Sequence, residues 1–355
     1  MLSNNARING HKSLRARLFV GSSALAILLV FTILLSVSVG PVPISMENVL
    51  SVLLTLGPIE TTTHSPLEFL IVTELRLPRI IVGLLVGIGL SVAGVTMQAL
   101  FRNPMADPGI IGISAGGSFG AVVAIALNLD QQSIISVPAC AFIGSIVSAM
   151  IVYSFGHSRG YLSMPALLLA GVAVSAFFSS LISAIVVLEK DSNSVREILF
   201  WLAGGLDSRS WDHVMTAGPL IILGAIIIVF YSRDLNLLNL NDSDAKALGV
   251  NINFARPLLI ILSALLTAMA VAVSGTIIFV GLITPHMLRL IVGPDHRILV
   301  PLSALAGAIF VVLADTLART MIQPAELQVG MVTSFLGAPF FLFLLVKNKS
   351  RLQNF

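Results

Sequence analysis

Long apolar blocks recur along the chain, each of helix-spanning length and each closed by a short polar or proline-bearing stretch. A helix needs about 20 apolar residues to cross a bilayer, whereas barrel strands alternate weakly over about 10. The pattern is of the first kind. It predicts ten spans, at residues 18–39, 77–100, 110–128, 137–155, 165–188, 214–231, 257–273, 274–293, 298–318 and 329–346. The fold class expected is therefore an all-α polytopic membrane protein of about ten transmembrane helices. Residues 18–347 form one transmembrane domain, flanked by a basic tail at 1–17 (Arg7, Lys12, Arg15, Arg17) and a short tail at 348–355. A signal peptide is the competing reading of the first block. That block exceeds the roughly 7–15 apolar residues of such a peptide and lacks a small-x-small cleavage site, so it is expected to stay as a helix.

The breaks are as informative as the blocks. Pro41 and Pro43 end the first span, and residues 44–74 read as a polar loop with Glu47, Glu60, Glu68 and Glu74. After the second span comes RNPMADPGIIGISAGGSFG, where Pro104 and Pro108 forbid a continuous helix. The pairs Gly83 and Gly87, Gly112 and Gly116, and Gly116 and Gly120 have the small-xxx-small spacing that lets helices approach closely in lipid. HSRGYLSMP joins spans four and five, and Trp201 and Trp211 suit interfacial anchors.

The largest polar interruption is 235–256, LNLLNLNDSDAKALGVNINFAR. Asn241 or Asp242 can cap a helix start, Asp242 and Asp244 suit its positive end, and Gly249 is a natural left-handed stop. VNINFAR is then expected to form a second short helix before the apolar run at Pro257. A connector with its own capped helix suits a contact that drives the protein from outside; a passive interfacial linker is the alternative.

Composition agrees with the pattern: 56% of residues are hydrophobic and 10% charged, far from the roughly 25% charge of soluble domains. The net charge is +3, but the basic residues sit beside spans, where they report topology rather than nucleic-acid binding. With ten spans both termini share a side; 14 of the 20 Lys and Arg then fall on it, together with the 235–256 segment. By the positive-inside rule that side is the cytoplasm. The remaining basic residues are Arg76, Arg79, Lys190, Arg196, Arg209 and Arg319. Cys140, the single cysteine, excludes an internal disulfide.

No P-loop, H-E-x-x-H or cysteine cluster is present, so neither ATP hydrolysis nor a metal site is expected of this chain. Ionisable residues within spans are few: Asp315, which can pair with Arg319 four residues on, and His286 with Arg289. GLSVAGVTMQALFRNP (89–104) is weakly echoed by AVAVSGTIIFVGLITP (270–285), five spans later and so in opposite orientation. Such inverted repeats are a transporter trait. An ion-coupled secondary transporter and a non-transporting scaffold remain the alternatives on these grounds.

LRLPRIIVGLLVGIGLSVAGVTMQALFRNPMADP, GISAGG, LLLAGVAVS, FWLAGGL, DAKALGV, GLITPHMLRLIVGPDH and ELQVG…LGAPFFLFLL occur in order over roughly residues 70–347. Together they resemble the FecCD/BtuC family of ABC importer permeases. Departures are Met105 for the common Leu, Thr284 for Val and Gln328 for Pro. The resemblance implies the BtuC-like type II importer fold, with ten spans and two related halves, in the bacterial cytoplasmic membrane with both termini cytoplasmic. It implies a second permease subunit, two cytoplasmic ATPase subunits that hold ATP and Mg, and an extracytoplasmic binding protein that delivers ferric siderophore, haem or vitamin B12. No cofactor and no nucleic acid is implied for this chain.

The same resemblance assigns residues. Asp242, Asp244, Ala245, Leu248 and Gly249 correspond to the surface that docks on the ATPase. Asn103, Pro104 and Met105, with Met164 and Pro165, correspond to cytoplasmic gate loops. Arg76, Arg79 and Arg319 correspond to arginines that meet carboxylates of the binding protein.

Overall fold

The computed structural model describes residues 2–55, 65–158, 161–322 and 325–347. Glu60, Arg159, Lys349 and Arg351 lie outside them, as does the 348–355 tail. In chain order the helices are α1 (Leu2–Ser38), α2 (Met46–Thr55), α3 (Pro66–Leu70), α4 (Leu77–Leu100), α5 (Ile113–Ala126), α6 (Ser136–Gly156), α7 (Met164–Leu188) and α8 (Ser192–Ala203). They continue as α9 (Trp211–Phe230), α10 (Ser232–Leu238), α11 (Asp242–Ala247), α12 (Ile252–Ser274), α13 (Val280–Val292), α14 (His296–Thr320) and α15 (Val329–Lys347). Strands β1 (His157–Ser158) and β2 (Tyr161–Leu162) form a minimal hairpin.

Among the described residues seven helices are long and apolar enough to cross a membrane, including Pro66–Leu100, Ile252–Ser274 and His296–Thr320. Three shorter apolar helices, Ile113–Ala126, Val280–Val292 and Val329–Phe343, occupy the places of the third, eighth and tenth expected spans. The 14 residues of α5 rise only about 21 Å against a hydrocarbon core of about 30 Å. Gly112, in left-handed backbone, precedes α5, and Gly293 with Pro294 follows α13, which marks one end of each of these two short helices.

The apolar part of α1 is Ala16–Ser38, beside the expected 18–39, and the helix extends back to Leu2. Two expectations are corrected. The 44–74 loop holds α2 and α3, and α3 passes through a π turn, Ile71–Arg76, directly into α4, so the second span starts at Pro66. Ser65 caps that start: its hydroxyl accepts from Glu68 N–H, and the Glu68 carboxylate accepts from Ser65 N–H. The INFAR of VNINFAR is the opening of α12 rather than a separate helix, because Pro257, only six residues into the helix, removes a single backbone bond and leaves the first turns intact.

Helix α4 is the centre of the bundle, packed by α9, α12, α13 and α14. Small residues make this possible. At Gly87 the backbone of α14 at Gly307 leaves no room for a Cβ, and at Gly94 the backbone of α13 at Gly281 does the same. Gly116 and Gly120 of α5 likewise face Gly144 and Cys140 of α6. The two echoed segments therefore touch: Ser91 and Thr284 hydroxyls are 2.6 Å apart, and Gln98 Nε2 donates to Leu282 O at 3.2 Å. Trp201 and Trp211 are both half-buried and held by the protein. Trp201 packs within the cluster of Val122, Ile125 and Ile198, and Trp211 Nε1 donates to Thr73 O at 3.1 Å.

Candidate functional site

One end of the bundle gathers the 235–256 segment and both expected gate loops. Helix α11 starts at Asn241, whose backbone is extended but whose side chain makes no capping bond. Asp242 is occupied differently from a cap. Its carboxylate accepts from Arg256 at 2.8 and 3.1 Å and from Arg102 Nη2 at 3.0 Å. The Arg256 hydrogen bond, opposed by partial burial, holds the Asp242 carboxyl below its ordinary range. The helix ends as expected: Gly249, at φ +90°, donates to Lys246 O at 3.0 Å, and Val250 N–H donates to Ala245 O at 3.1 Å. Asp244, Leu248 and Gly249 are exposed. Ala245 is fully buried against this chain's own core, so it is not available to a partner surface.

Arg102 carries the link to the first gate loop. Besides Asp242 it donates to Leu238 O at 3.2 Å and to Leu240 O. It sits at φ +50° in the turn that ends α4, a conformation uncommon for a non-glycine residue. Immediately after it, Asn103 Oδ1 accepts from Met105 N–H at 2.9 Å, an Asx turn that fixes the proline break. Asn103 and Pro104 are exposed and Met105 half-buried. The second loop lies on the other side of α11. His157 and Leu162 share a small cavity with Asp242 and Arg256, and Ser163 caps α7 just before Met164 and Pro165. Met164 packs on the main core while Pro165 is exposed.

At the opposite end the three arginines are arranged otherwise than as a free docking patch. Arg76, 5% exposed, donates to the carbonyls of Val37, Ser38 and Val42. Arg319, 3% exposed, pairs with Asp315 at 3.1 Å and donates to Ser36 O and Oγ at 3.1 and 2.8 Å. Arg79 grips Asp315 at 2.8 Å and Glu326 at 2.9 Å. The expectation of three available arginines is therefore corrected. Their charges are spent on orphan helix-end carbonyls and on one buried aspartate, which bind α1, α4 and α14 together. Asp315 does pair with Arg319, and with Arg79 as well.

Sequence reasoning missed a non-helical junction inside the bundle. The end of α8, the end of α12 and the start of α15 meet there: Gly205 N–H donates to Ser274 O at 2.8 Å and Gly330 N–H to Gly204 O at 2.9 Å. Gly204, Gly275 and Phe279 all have positive φ, at +72°, +65° and +70°. Irregular backbone at membrane depth is tolerated where protein or a cavity satisfies it. A cavity of about 550 Å³ adjoins the junction, lined by Ala203, Thr276, Gly330, Ser334 and Phe335. The paired glycines of FWLAGGL were the available signal. Among the described residues no group of His, Cys, Asp or Glu is placed to hold a metal ion.

A bundle of long apolar helices around the central helix α4, with the short helix α11 tied to the proline break that follows it, is the architecture of a multi-pass membrane protein. The chain belongs to the FecCD transport family, whose sequence profile matches residues 28–347. It is 39% identical to the cobalamin import permease BtuC of Halobacterium salinarum, over 93% of this chain and 96% of that one. It is 40% identical to the hemin transport permease HmuU of Yersinia pestis, over 78% and 84%, and 38% identical to the iron(3+)-hydroxamate permease FhuG of Bacillus subtilis, over 78% and 84%. A solved ABC transporter of metal-chelate type, in an inward-facing conformation, superposes with a TM-score of 0.80 at 33% identity, over 91% of this chain and 98% of that one. The chain is thus an ABC importer permease, and in such transporters ATP hydrolysis is done by partner ATPases.

Proposed function

We propose that this permease moves a ferric siderophore inward across the bacterial cytoplasmic membrane by alternating access. It would work with a second permease subunit, two ATPase subunits that bind ATP and Mg, and an extracytoplasmic binding protein. In this reading the ten apolar helices all cross the bilayer, both termini face the cytoplasm, and the positive-inside distribution supports that orientation. The exposed residues Asp244, Leu248 and Gly249 meet the ATPase, with Asp242 behind them as the transmitting group.

The observation that carries the reading is the clamp of Arg102, Asp242 and Arg256, because it joins α11 to the break at Asn103–Met105 through direct ion pairs. A displacement of α11 on nucleotide binding then pulls on the end of the central helix. His157 and Leu162, just ahead of Met164 and Pro165, face Asp242 and Arg256 across a small cavity, so in this reading a shift of α11 also changes the surroundings of the second loop. The outer face receives the binding protein. Arg79, 13% exposed beside Glu326, is the only one of the three arginines with an edge toward a partner.

A ferric siderophore is favoured by the similarity to permeases for iron(3+)-hydroxamate and Fe(3+)-citrate. Cobalamin is the second reading, favoured by the relative that matches over 96% of its length. Proteoliposomes holding the complete transporter and its binding protein separate them. Uptake of ⁵⁵Fe-labelled siderophore dependent on ATP, without uptake of ⁵⁷Co-cobalamin or haem, is the expected result; the converse would replace the substrate.

A further inference from the structure

A cavity of about 680 Å³ opens at the end of the bundle that carries the 235–256 segment. Four elements surround it: the end of α4, helix α10, the end of α13 and the start of α14. Three arginines, Arg102, Arg289 and Arg297, line it against one carboxylate, Asp295. Two of these cations are already paired, Arg102 with Asp242 at 3.0 Å and Arg297 with Asp295 at 2.7 Å. Arg289 has no carboxylate within ion-pair distance among the described residues, and its Nη1 is buried with no hydrogen-bond partner.

The other buried polar groups on the wall are orphaned as well. Gln98, 3% exposed, donates through Nε2 to backbone carbonyls while its Oε1 has no partner. His296, 4% exposed, lies at the first position of α14. Asn236 Oδ1 accepts from its backbone N–H at 2.9 Å and stands 2.8 Å from Nδ1, and Asn236 Nδ2 donates to Asp295 at 2.8 Å. That chain of bonds places the ring proton on Nδ1 and leaves Nε2 a bare acceptor, buried and unpartnered. Buried polar groups are ordinarily satisfied, and an uncompensated cation is the most costly exception. The wall thus offers cationic donors beside two neutral acceptors. A fully deprotonated anion satisfies only the first; water can bond to either kind of group but leaves the charge uncompensated.

We propose that this cavity binds a phosphate group carrying a P–OH, either free inorganic phosphate or a phosphomonoester lipid headgroup. The phosphoryl oxygens accept from Arg289, with Arg102 and Arg297 at the rim, and the P–OH donates to His296 Nε2 or Gln98 Oε1. Guanidinium is the side chain best matched to phosphate oxygens. The site adjoins Arg102, so its occupant sits beside the clamp on α11.

The test uses the full-length chain in phosphatidylcholine nanodiscs, titrated with inorganic phosphate and with sulfate, which has no P–OH equivalent. Parallel nanodiscs contain phosphatidic acid, and retained lipid is counted by native mass spectrometry. Phosphate binding tighter than sulfate binding, weakened about tenfold or more by Arg289→Gln and partly kept by Arg289→Lys, supports a free-phosphate site. Selective retention of phosphatidic acid, lost in Arg289→Gln, supports the headgroup. The thermal midpoint of Arg289→Gln should not fall, because the guanidinium has no partner in the chain to lose. Neither phosphate nor phosphatidic acid binding by the native chain, or binding equal in Arg289→Gln, would overturn the proposal.

Discussion

Arg102, in the turn that ends the central helix, donates to Asp242 at the start of α11 across 140 residues of sequence, at 3.0 Å. With Arg256 on the same carboxylate, this is the direct mechanical joint between the segment expected to meet an ATPase and the proline break expected to gate the pathway. The Arg102 side chain is 40% exposed and Asp242 53%, so the joint contributes little to stability, about 0–1 kcal/mol. Its value in the proposed function is transmission. Asp242→Asn should leave expression and thermal midpoint nearly unchanged while ATP-dependent uptake falls several-fold and ATPase activity persists, measured side by side in proteoliposomes.

Gly249 tests the shape of the same segment. Nothing lies within 4 Å of a Cβ built there, so Gly249→Val introduces no clash, only the strain of a β-branched residue at φ +90°, about 1–3 kcal/mol. Membrane insertion should be intact and assembly with the ATPase weakened, read by co-purification. Gly249→Asn, which tolerates left-handed backbone, should be milder.

At the far end, Asp315 is 1% exposed between Arg79 and Arg319. Asp315→Asn removes the one buried negative charge between these guanidinium groups, leaving Arg79 with Glu326 and Arg319 with Ser36, and should destabilise the chain by about 3 kcal/mol, seen as a lower midpoint in detergent. Arg79→Gln added to it should recover part of the loss. A fully stable Asp315→Asn chain would mean that the remaining acceptors, Glu326 and Ser36, suffice to hold the two arginines.

The acid limit of the 235–256 end should follow its carboxylates. Burial raises the Asp295 carboxyl, but hydrogen bonds from Arg297 and Asn236 outweigh it and hold the group at about 2. A depressed folded pKa adds stability above the unfolded value of 3.8, and that stability is lost as pH falls from there toward 2. Thermal midpoints across pH 6 to 2 should decline less steeply in Asp295→Asn than in the native chain, at least in this low window.

How far the fold was legible follows from which physics each feature uses. The apolar blocks and Gly249 were readable because hydrophobic length and left-handed backbone are properties of single segments. The fates of Asp242, Arg76 and Arg319 were not, because each is decided by partners 14, 39 and 283 residues away. Asn241 had the chemistry of a cap and sits at the cap position, yet its side chain makes no such bond. The junction of Gly204, Gly275 and Gly330 also escaped prediction, since glycines in apolar sequence read equally as packing or as breaks.

In the proposed function, ATP binding by the partner ATPase displaces α11, and the displacement reaches the break after α4 through Arg102. Single cysteines at Met105→Cys and Met164→Cys, in a Cys140→Ala background, report on it directly in the assembled transporter. Their reaction rates with a water-soluble maleimide should differ between nucleotide-free and ATP-bound states, and Asp242→Asn should abolish the difference at residue 105. Equal rates in both states, with uptake preserved, would contradict the account.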